Sequence, residues 1–346
     1  MPTTSASMAW LARPDGSVVI GRGPFVSAPA APDSTTAFFV QDFALTDPSP
    51  WKIPSSAEII DHPAFLARHA GVRPPRCEWS VPDATPFSCV FQEIMVAIQS
   101  GLFEKTVPVV TEAGTASDHP GPGFVAAMAR QPAPLLSYGF VGRNDGFAGA
   151  TPELLISLHH RHLKTMALAG TARRDDREVF AVDEKEIREH EYVAQTLVSK
   201  LTDLGSLSRR PRSILDLDSI VHFLTNIEVD LDGSLCSEAL LKRLHPTPAL
   251  GPLPRTAETL DMLLEWRRRL HCPPEFGAPF GVSCDGRFDA VVAIRGIWWQ
   301  DRQLILPAGC GIIEASRLVN EWRELRLKRD SVKRFLDLPS QSPQSV

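Results

Sequence analysis

Short apolar runs interrupted by prolines dominate the first quarter of the chain, and they predict strands rather than helices. Val18–Ile20 and Ala37–Val40 are two such runs, and proline-rich loops such as Arg73-Pro-Pro-Arg76 separate or follow them. Because proline cannot donate a backbone hydrogen bond, we expect these strands to be short or to lie at sheet edges.

Farther along, apolar residues recur at three- and four-residue spacings, which predicts helices. The segment Ser88–Ser100 is the clearest case, because its apolar residues would share one face and Gly101 would end the helix. Further helices are predicted at Asp183–Lys200, Ser237–Leu244 and Ala257–Leu270.

Continuous or alternating apolar runs predict more strands in the rest of the chain. They lie at Lys105–Val110, Phe147–Leu158, Leu163–Ala169, Ile227–Leu231, Phe280–Cys284, Ala290–Trp299 and Gln303–Pro307. Strands and helices follow no regular βαβ rhythm, which favours an α+β fold over a doubly wound sheet. We therefore expect a single large domain with central packed antiparallel β-sheets and outer helices.

The same pattern suggests three regions within that domain. Residues 1–87 would supply N-terminal strands and loops that pack on the same core, and residues 88–336 would form the functional region. The polar stretch at 337–346 is predicted to be a disordered tail.

Composition excludes several classes of function. The net charge is -5 and no basic run is present, so a nucleic-acid partner is not expected. The six cysteines form no Cys-x-x-Cys pair, which disfavours zinc ribbons and redox motifs. The N-terminus lacks the features of a signal peptide, and no apolar run approaches the ~20 residues of a membrane helix. We expect a cytoplasmic protein without a membrane partner.

Two acidic helix faces give the first indication of chemistry. Glu321, Glu324 and Lys328 follow a glycine turn at spacings that place them on one helix face. Glu186 and Glu189 form a second acidic pair on another predicted helix. Carboxylates from two helices beside a glycine turn suggest a hard cation that holds an anionic ligand.

Eight segments in order connect these residues to a known family. They are Ile98–Val107, Phe147–Leu155, Leu168–Arg174, Glu184–His190, His222–Thr225, Ala293–Arg295, Gly309–Ile313 and Glu321–Lys328. Together they resemble the motifs of the chorismate-utilising enzymes, which include isochorismate, salicylate, anthranilate and aminodeoxychorismate synthases. Each segment alone is a weak signal, but eight in the correct order make a chance match very improbable.

A further segment separates the branches of this family. Leu244–Arg255 resembles the corresponding segment of isochorismate and salicylate synthases, and Ala249 replaces the threonine of the aminating members. Phe276 stands where salicylate synthases typically carry tyrosine. One departure from the family is that Pro108 and Val110 replace the usual residues shortly after Lys105, so that an arginine is absent there.

The resemblance implies an isomerase, a Mg²⁺-dependent isochorismate synthase in which water attacks ring C2 of chorismate and the C4 hydroxyl is lost. A salicylate synthase, which also eliminates pyruvate, is the nearest alternative. An aminating synthase with a glutaminase partner and a non-catalytic chorismate-binding protein are more distant alternatives. The product could feed menaquinone, siderophore or salicylate synthesis, and the protein could be a monomer or a homodimer.

The implied reaction needs a base on one face of the ring and an acid on the other. The resemblance assigns Lys105 as the base and Glu153 as the acid, so the pKa of Glu153 must be raised towards neutrality. It assigns the Mg²⁺ ligands to Glu189 and Glu324, with support from Glu186 and Glu321. The implied substrate-binding residues are Gly170, Thr171, His222, Ala249, Leu250, Arg295, Gly309, Gly311 and Lys328.

Two of these substrate-binding residues carry specific expectations. Lys328 would pair with the ring carboxylate, and Arg295 would take the enolpyruvyl carboxylate in a bidentate fork. His222 is expected near the ring substituents, with a buried, hydrogen-bonded core histidine as the alternative.

Overall fold

The computed structural model describes residues 7–32, 34–217 and 219–336. The strands in these ranges are β1 (Met8–Ala12), β2 (Ser17–Ala28), β3 (Ala37–Val40), β4 (Trp51–Asp61), β5 (Cys77–Trp79), β6 (Lys105–Thr106), β7 (Val109–Ala116), β8 (Leu136–Val141), β9 (Asp145–Thr151), β10 (Leu154–His159), β11 (His162–Arg173), β12 (Gly205–Arg209), β13 (Ser213–Asp216), β14 (Ile220–Leu231), β15 (Pro279–Cys284), β16 (Arg287–Val292), β17 (Gly296–Gln300), β18 (Gln303–Gly309) and β19 (Ile312–Ile313). The α-helices are α1 (His62–Arg68), α2 (Thr85–Gln99), α3 (Gly121–Ala129), α4 (Arg177–Ala181), α5 (Glu184–Leu201), α6 (Ser237–Leu244), α7 (Ala257–Arg269) and α8 (Leu318–Phe335). The tail at 337–346, predicted to be disordered, lies outside the described residues.

Antiparallel pairing joins most of the strands into one sheet. Seventeen strands of the described chain form a continuous hydrogen-bonded sheet, and β6 pairs with β19 separately. Neighbours follow the path β5–β7–β18–β17–β9–β8–β1–β2–β4–β3–β15–β16–β10–β11–β14, with β12 and β13 both paired to β14. The predicted α+β fold with central antiparallel sheet and outer helices is confirmed.

Strands from the N-terminal region lie in the middle of this path. β1 to β4 connect β8 to β15, so the hydrogen-bonded sheet runs through residues on both sides of position 87. Trp10, Leu11, Phe38 and Trp51 from these strands are fully buried. The described N-terminal residues therefore share the core of the functional region.

Two strands that the sequence predicts as continuous are each divided in two. Phe147–Leu158 forms β9 and β10, and Ala290–Trp299 forms β16 and β17. Since β9 pairs with β17 while β10 pairs with β16, the chain moves between distant points of the sheet path at both breaks. Pro152 lies in the first break, and Arg295, with a φ of 55°, lies in the second.

The predicted strand Lys105–Val110 is likewise wrong as one unit. β6 ends at Thr106 and pairs with β19, whereas β7 begins at Val109 and pairs with β18. Pro108, which has no backbone N–H, lies between the two strands. The break gives Lys105 a different set of neighbours from those of the main sheet.

Two long helices carry the acidic residues and are fixed at defined points. α5 packs on β11 and β14, and the Asp183 carboxylate caps it by accepting a hydrogen bond from the Glu186 backbone N–H at 3.1 Å. α8 packs on β18, and its Lys333 and Arg329 pair with the buried Glu112 of β7 at 2.6 and 3.3 Å. These contacts fix the positions of both helices against the sheet.

Two further expectations from composition concern the cysteines and the membrane segments. All six cysteines are free in the structure, two of them buried. No helix in the described ranges is both long and apolar enough to cross a membrane.

Candidate active site

A small cavity of about 70 Å³ brings most of the predicted site residues together. Eleven of them line it: Glu153, Gly170, Thr171, Glu189, His222, Ala249, Leu250, Arg295, Gly309, Gly311 and Lys328. Lys105, Glu186 and Glu324 contact residues of this lining, and Glu321 is connected to it through Lys185. The whole predicted set therefore occupies one place in the fold.

The two strand breaks present Glu153 and Arg295 to the cavity. They lie side by side, because the Ala150 N–H donates to the Arg295 carbonyl and the Val292 N–H donates to the Glu153 carbonyl, both at 3.1 Å. Backbone hydrogen bonds therefore join the chain at one break to the chain at the other. An uninterrupted strand would have placed these side chains within the sheet instead.

Glu153 is placed to be a proton donor. Its residue is 3% exposed, and burial raises the pKa of its carboxyl from 4.5 to about 8, although the charges of Lys105 and Lys328 limit the rise. The carboxyl is therefore mostly protonated at neutral pH. The raised pKa expected for an acid at this position is present.

Arg295 is a buried cation bound by neutral partners. Its Nη1 donates to the Ser331 hydroxyl at 2.8 Å, and its Nη2 donates to His222 Nε2 at 2.9 Å. Burial lowers the pKa of the guanidinium to about 10, so it stays charged at neutral pH. No carboxylate in the described part of the chain forms an ion pair with it. A charge of this kind, facing a cavity, favours an anionic ligand.

His222 orients this guanidinium rather than offering a free nitrogen to a ligand. Its Nδ1 lies 2.7 Å from the Gly170 carbonyl oxygen, which can only accept, so Nδ1 carries the hydrogen. Nε2 then holds the lone pair that accepts from Arg295. Burial and the charge of Arg295 lower the pKa of His222 well below its usual value, which keeps the ring neutral.

Lys105 lies behind the cavity wall. Its side chain is fully buried, and its ammonium donates to the Pro248 carbonyl and pairs with Glu189 at 3.2 Å. Gly311 separates it from the cavity, and a Cβ there would lie only 2.7 Å from Lys105 Cε and 2.1 Å from a Glu189 oxygen. Glycine at this position therefore allows the lysine and the glutamate to reach the cavity edge.

The segment at 244–255 holds Lys105 in place. The Leu253 N–H donates to the Lys105 carbonyl at 2.8 Å, and Pro248 supplies the acceptor for the Lys105 ammonium. Ala249 and Leu250 of the same segment line the cavity. The segment that distinguishes the branches of the family in sequence is thus in direct contact with Lys105.

Lys328 is the second ammonium at the cavity. It donates to the Gly309 carbonyl at 2.8 Å and pairs with Glu324, one helical turn earlier, at 2.5 Å. Gly309 ends β18 and leads into the glycine turn that includes Gly311. Helix α8 therefore places one cation, Lys328, at the cavity, and the glycine turn places the backbone of Gly309 and Gly311 there. This combination suits an anionic ligand.

The acidic residues of α5 and α8 form a cluster around the ammonium of Lys185, a residue that was not predicted to belong to the site. Lys185 Nζ lies 2.9 Å from Glu186, 3.4 Å from Glu189 and 3.4 Å from Glu321. Burial raises the pKa values of Glu186 and Glu321, and the neighbouring carboxylates add to this effect. Burial would also raise the pKa of Glu189, but the surrounding lysines, Lys105 first, lower it.

This donor set fits a hard cation such as Mg²⁺ in its chemistry. Carboxylates are the ligands such ions prefer, and one oxygen of the buried Glu321, Oε2, has no hydrogen-bond partner. Among the described residues, however, no three acidic, histidine or cysteine side chains converge as a ready-made metal centre. Instead, the Lys185 ammonium lies between the carboxylates of Glu186, Glu189 and Glu321.

Comparison with known protein families agrees with this geometry. The family described as chorismate binding enzyme matches residues 77–337, three quarters of the chain. The chain belongs to this family. Curated relatives include the isochorismate synthase EntC of Escherichia coli strain K12, 33% identical over 209 residues that cover 56% of this chain and 52% of EntC. The salicylate biosynthesis isochorismate synthase of Pseudomonas aeruginosa is 29% identical over 254 residues, 69% of this chain and 52% of that protein.

The matched regions span about half the length of these curated relatives. Among solved structures, DhbC of Bacillus anthracis superposes with a TM-score of 0.81 at 20% identity and covers 97% of this chain and 98% of that one. This likeness shows the fold.

Two residues of the candidate site in this chorismate-binding enzyme were not predicted from the sequence. Lys185 precedes Glu189 by four positions, so helical spacing alone could have placed it on the acidic face. Ser331 follows Lys328 by three positions, accepts from Arg295 and donates to the Lys328 carbonyl at 2.8 Å. It carries no charge, so only the fold reveals its contact with Arg295.

Proposed function

We propose that this chorismate-binding enzyme is a Mg²⁺-dependent isochorismate synthase, an isomerase that converts chorismate to isochorismate. The observation that carries the proposal is the Glu153 carboxyl, which burial keeps protonated beside a cavity bordered by Arg295 and Lys328. The relatives that are named isochorismate synthases support the same reaction.

The proposed chemistry needs proton transfer at two points of one ring. Glu153 would donate its proton to the C4 hydroxyl as that group leaves, and the Lys105 side chain would accept a proton from the water that attacks C2. One water enters and one leaves, so the product is an isomer of the substrate. Gly311 brings Lys105 close to the cavity, because the lysine side chain packs where a side chain at position 311 would otherwise lie.

The two carboxylates of chorismate match the two cations of the cavity. Arg295, held by His222 and Ser331, would bind the enolpyruvyl carboxylate, and its neutral partners leave the guanidinium charge available. Lys328 would bind the ring carboxylate and would exchange Glu324 for it. Gly170, Thr171 and the glycine turn would supply the remaining polar contacts.

Four carboxylates would hold the metal. Glu189 and Glu324 would be the ligands of Mg²⁺, with Glu186 and Glu321 supporting them directly or through water. When bound, the ion would supply positive charge that neutralises a substrate carboxylate.

The segment at 244–255 supports isochorismate rather than an aminated product. Ala249 and Leu250 present apolar side chains to the cavity, and an alanine provides no hydroxyl for orienting ammonia. We therefore expect no glutaminase subunit. Phe276 also lines the cavity and has no hydroxyl, in contrast to the tyrosine of salicylate synthases.

Product analysis tests the proposal. Purified protein incubated with chorismate and Mg²⁺ should form isochorismate, identified by mass and absorbance, without stoichiometric pyruvate. Salicylate with pyruvate would instead assign the chain to the salicylate branch. Anthranilate or aminodeoxychorismate formed with added ammonia would assign it to an aminating branch, and no product at all would leave only a binding role.

The same assay tests the metal requirement. Chelation with EDTA followed by desalting should abolish conversion, and added Mg²⁺ should restore it, because the carboxylate cluster and the dianionic substrate repel each other without the ion. EDTA presaturated with Mg²⁺ is the control for the chelator. Full activity after rigorous chelation would contradict a metal-dependent mechanism.

A further inference from the structure

Lys185 lies at the second position of α5, with its ammonium between carboxylates from both acidic helices. Its contacts reach Glu186 and Glu189 on its own helix and Glu321 on α8. Its side chain is 21% exposed, whereas Glu189 and Glu321 are almost fully buried. A single lysine therefore links the two halves of the cluster.

The cluster needs a cation whether or not a metal is present. Buried carboxylates that face each other repel strongly, and burial also removes the water that would otherwise screen them. Glu321 Oε2 remains without a partner despite the nearby ammonium, so the cluster still has an unused ligand oxygen. Lys185 supplies one positive charge where a divalent ion would supply two.

The ammonium and a divalent ion would compete for the same oxygens. Mg²⁺ requires ligand oxygens at about 2.0–2.1 Å in octahedral geometry, which leaves no room for an ammonium hydrogen-bonded to the same carboxylates. There is space for a displaced Lys185 side chain, because Lys185 also lines an outer cleft of about 630 Å³ between α4, α5 and α8. Its flexible four-carbon stem permits that movement without a change in the helix.

We propose that Lys185 is a built-in competitor of the metal: it fills the cation position in the metal-free protein and moves into the outer cleft when a divalent ion binds. This inference rests on the proposed metal site. Lys185 thereby stabilises the empty cluster and weakens the affinity for the metal. Metal binding then converts one arrangement of the cluster into another, rather than filling a vacant site.

Substitution of Lys185 by methionine tests the competition without substrate. The Lys185→Met variant should bind Mg²⁺ about 10-fold more tightly or better in calorimetric titration, because one positive charge leaves the cluster. Its metal-free form should melt at a lower temperature than the wild type, and Mg²⁺ should restore most of that loss. Arg188→Met is the matched control, since exposed Arg188 on the same helix contacts the Tyr192 hydroxyl and not the cluster.

Three outcomes separate this inference from the proposed function. Wild-type protein that binds no Mg²⁺ at millimolar concentration would overturn the metal site and the inference with it. A wild type that binds Mg²⁺ while Lys185→Met binds it equally or more weakly would overturn the competitor role alone. Equal tightening in Arg188→Met and Lys185→Met would also overturn it, because the effect would then be a general change of charge.

A labelling measurement covers the case in which Lys185→Met does not fold. Wild-type protein is treated briefly with an amine-acetylating reagent, with and without Mg²⁺, and modification of Lys185 is measured by peptide mass spectrometry. Mg²⁺ should increase acetylation of Lys185 several-fold relative to the exposed Lys164, because displacement brings the amine into the cleft. Unchanged or reduced labelling of Lys185 would contradict displacement.

Discussion

Replacing Glu153 by glutamine should lower kcat for chorismate conversion by about 10²- to 10⁴-fold and change KM much less. Glutamine preserves the shape of the side chain but has no acidic proton for the departing hydroxyl. The wild-type rate should fall as the pH rises through about 8, because Glu153 must be protonated to act and its pKa is about 8. The variant should lose this alkaline limb of the pH–rate profile.

Stability provides the control for the Glu153 variant. The pKa of Glu153 rises on folding from 4.5 to about 8, so in this pH window the unfolded chain releases a proton that the folded protein keeps. Wild-type stability therefore decreases as the pH rises, by up to about 5 kcal/mol near pH 8 from this group alone. Glu153→Gln escapes that loss and should melt no lower than the wild type at pH 8. A well-folded variant with wild-type kcat would show that the acid lies elsewhere.

Replacing Lys105 by alanine should cause a comparable fall in kcat, again about 10²- to 10⁴-fold, because the water loses its base. Lys105→Arg should be nearly as slow, although it keeps a positive charge near Glu189, since a guanidinium does not deprotonate in proteins. Comparison of the two variants separates the loss of proton transfer from the loss of positive charge at position 105. Steady-state kinetics should show that kcat falls in both variants far more than KM changes.

The controls for Lys105 address its structural contacts. Lys105→Ala leaves Glu189 without its closest cation and so is expected to lower the melting temperature. Lys164→Ala, at an exposed position of β11, should alter neither folding nor rate. Activity is compared only for protein that retains the wild-type circular dichroism spectrum. Near wild-type kcat in Lys105→Arg would contradict the role of Lys105 as the base.

The predicted helices match observed ones closely because their signals are local, whereas no helix was predicted at the short α1, α3 and α4. The predicted helix Ser237–Leu244 has the observed bounds, and Ala257–Leu270 differs by one residue from α7. Side-chain spacing and end signals of this kind depend only on residues within a few turns. The motif resemblance likewise predicted fifteen site residues, and the fold gathers these residues in one place.

The strand breaks could not be predicted from apolar runs. Phe147–Leu158 and Ala290–Trp299 are mostly apolar because both halves of each are buried, but each half pairs with a different part of the sheet. Burial determines which residue types a strand contains, whereas its pairing partner depends on contacts between residues far apart in sequence. The two breaks nevertheless carry Glu153 and Arg295, so the irregular backbone coincides with the site.

The most direct test of the central claim, that the site adds water at one ring carbon while it protonates a departing hydroxyl at another, is conversion of chorismate in ¹⁸O-enriched water. Isochorismate isolated at low conversion should carry one solvent-derived oxygen in its ring hydroxyl, located by mass spectrometry and NMR. Isochorismate with an unlabelled ring hydroxyl would contradict the account, because the oxygen would then have moved within the substrate and neither Lys105 nor Glu153 would have the proposed role.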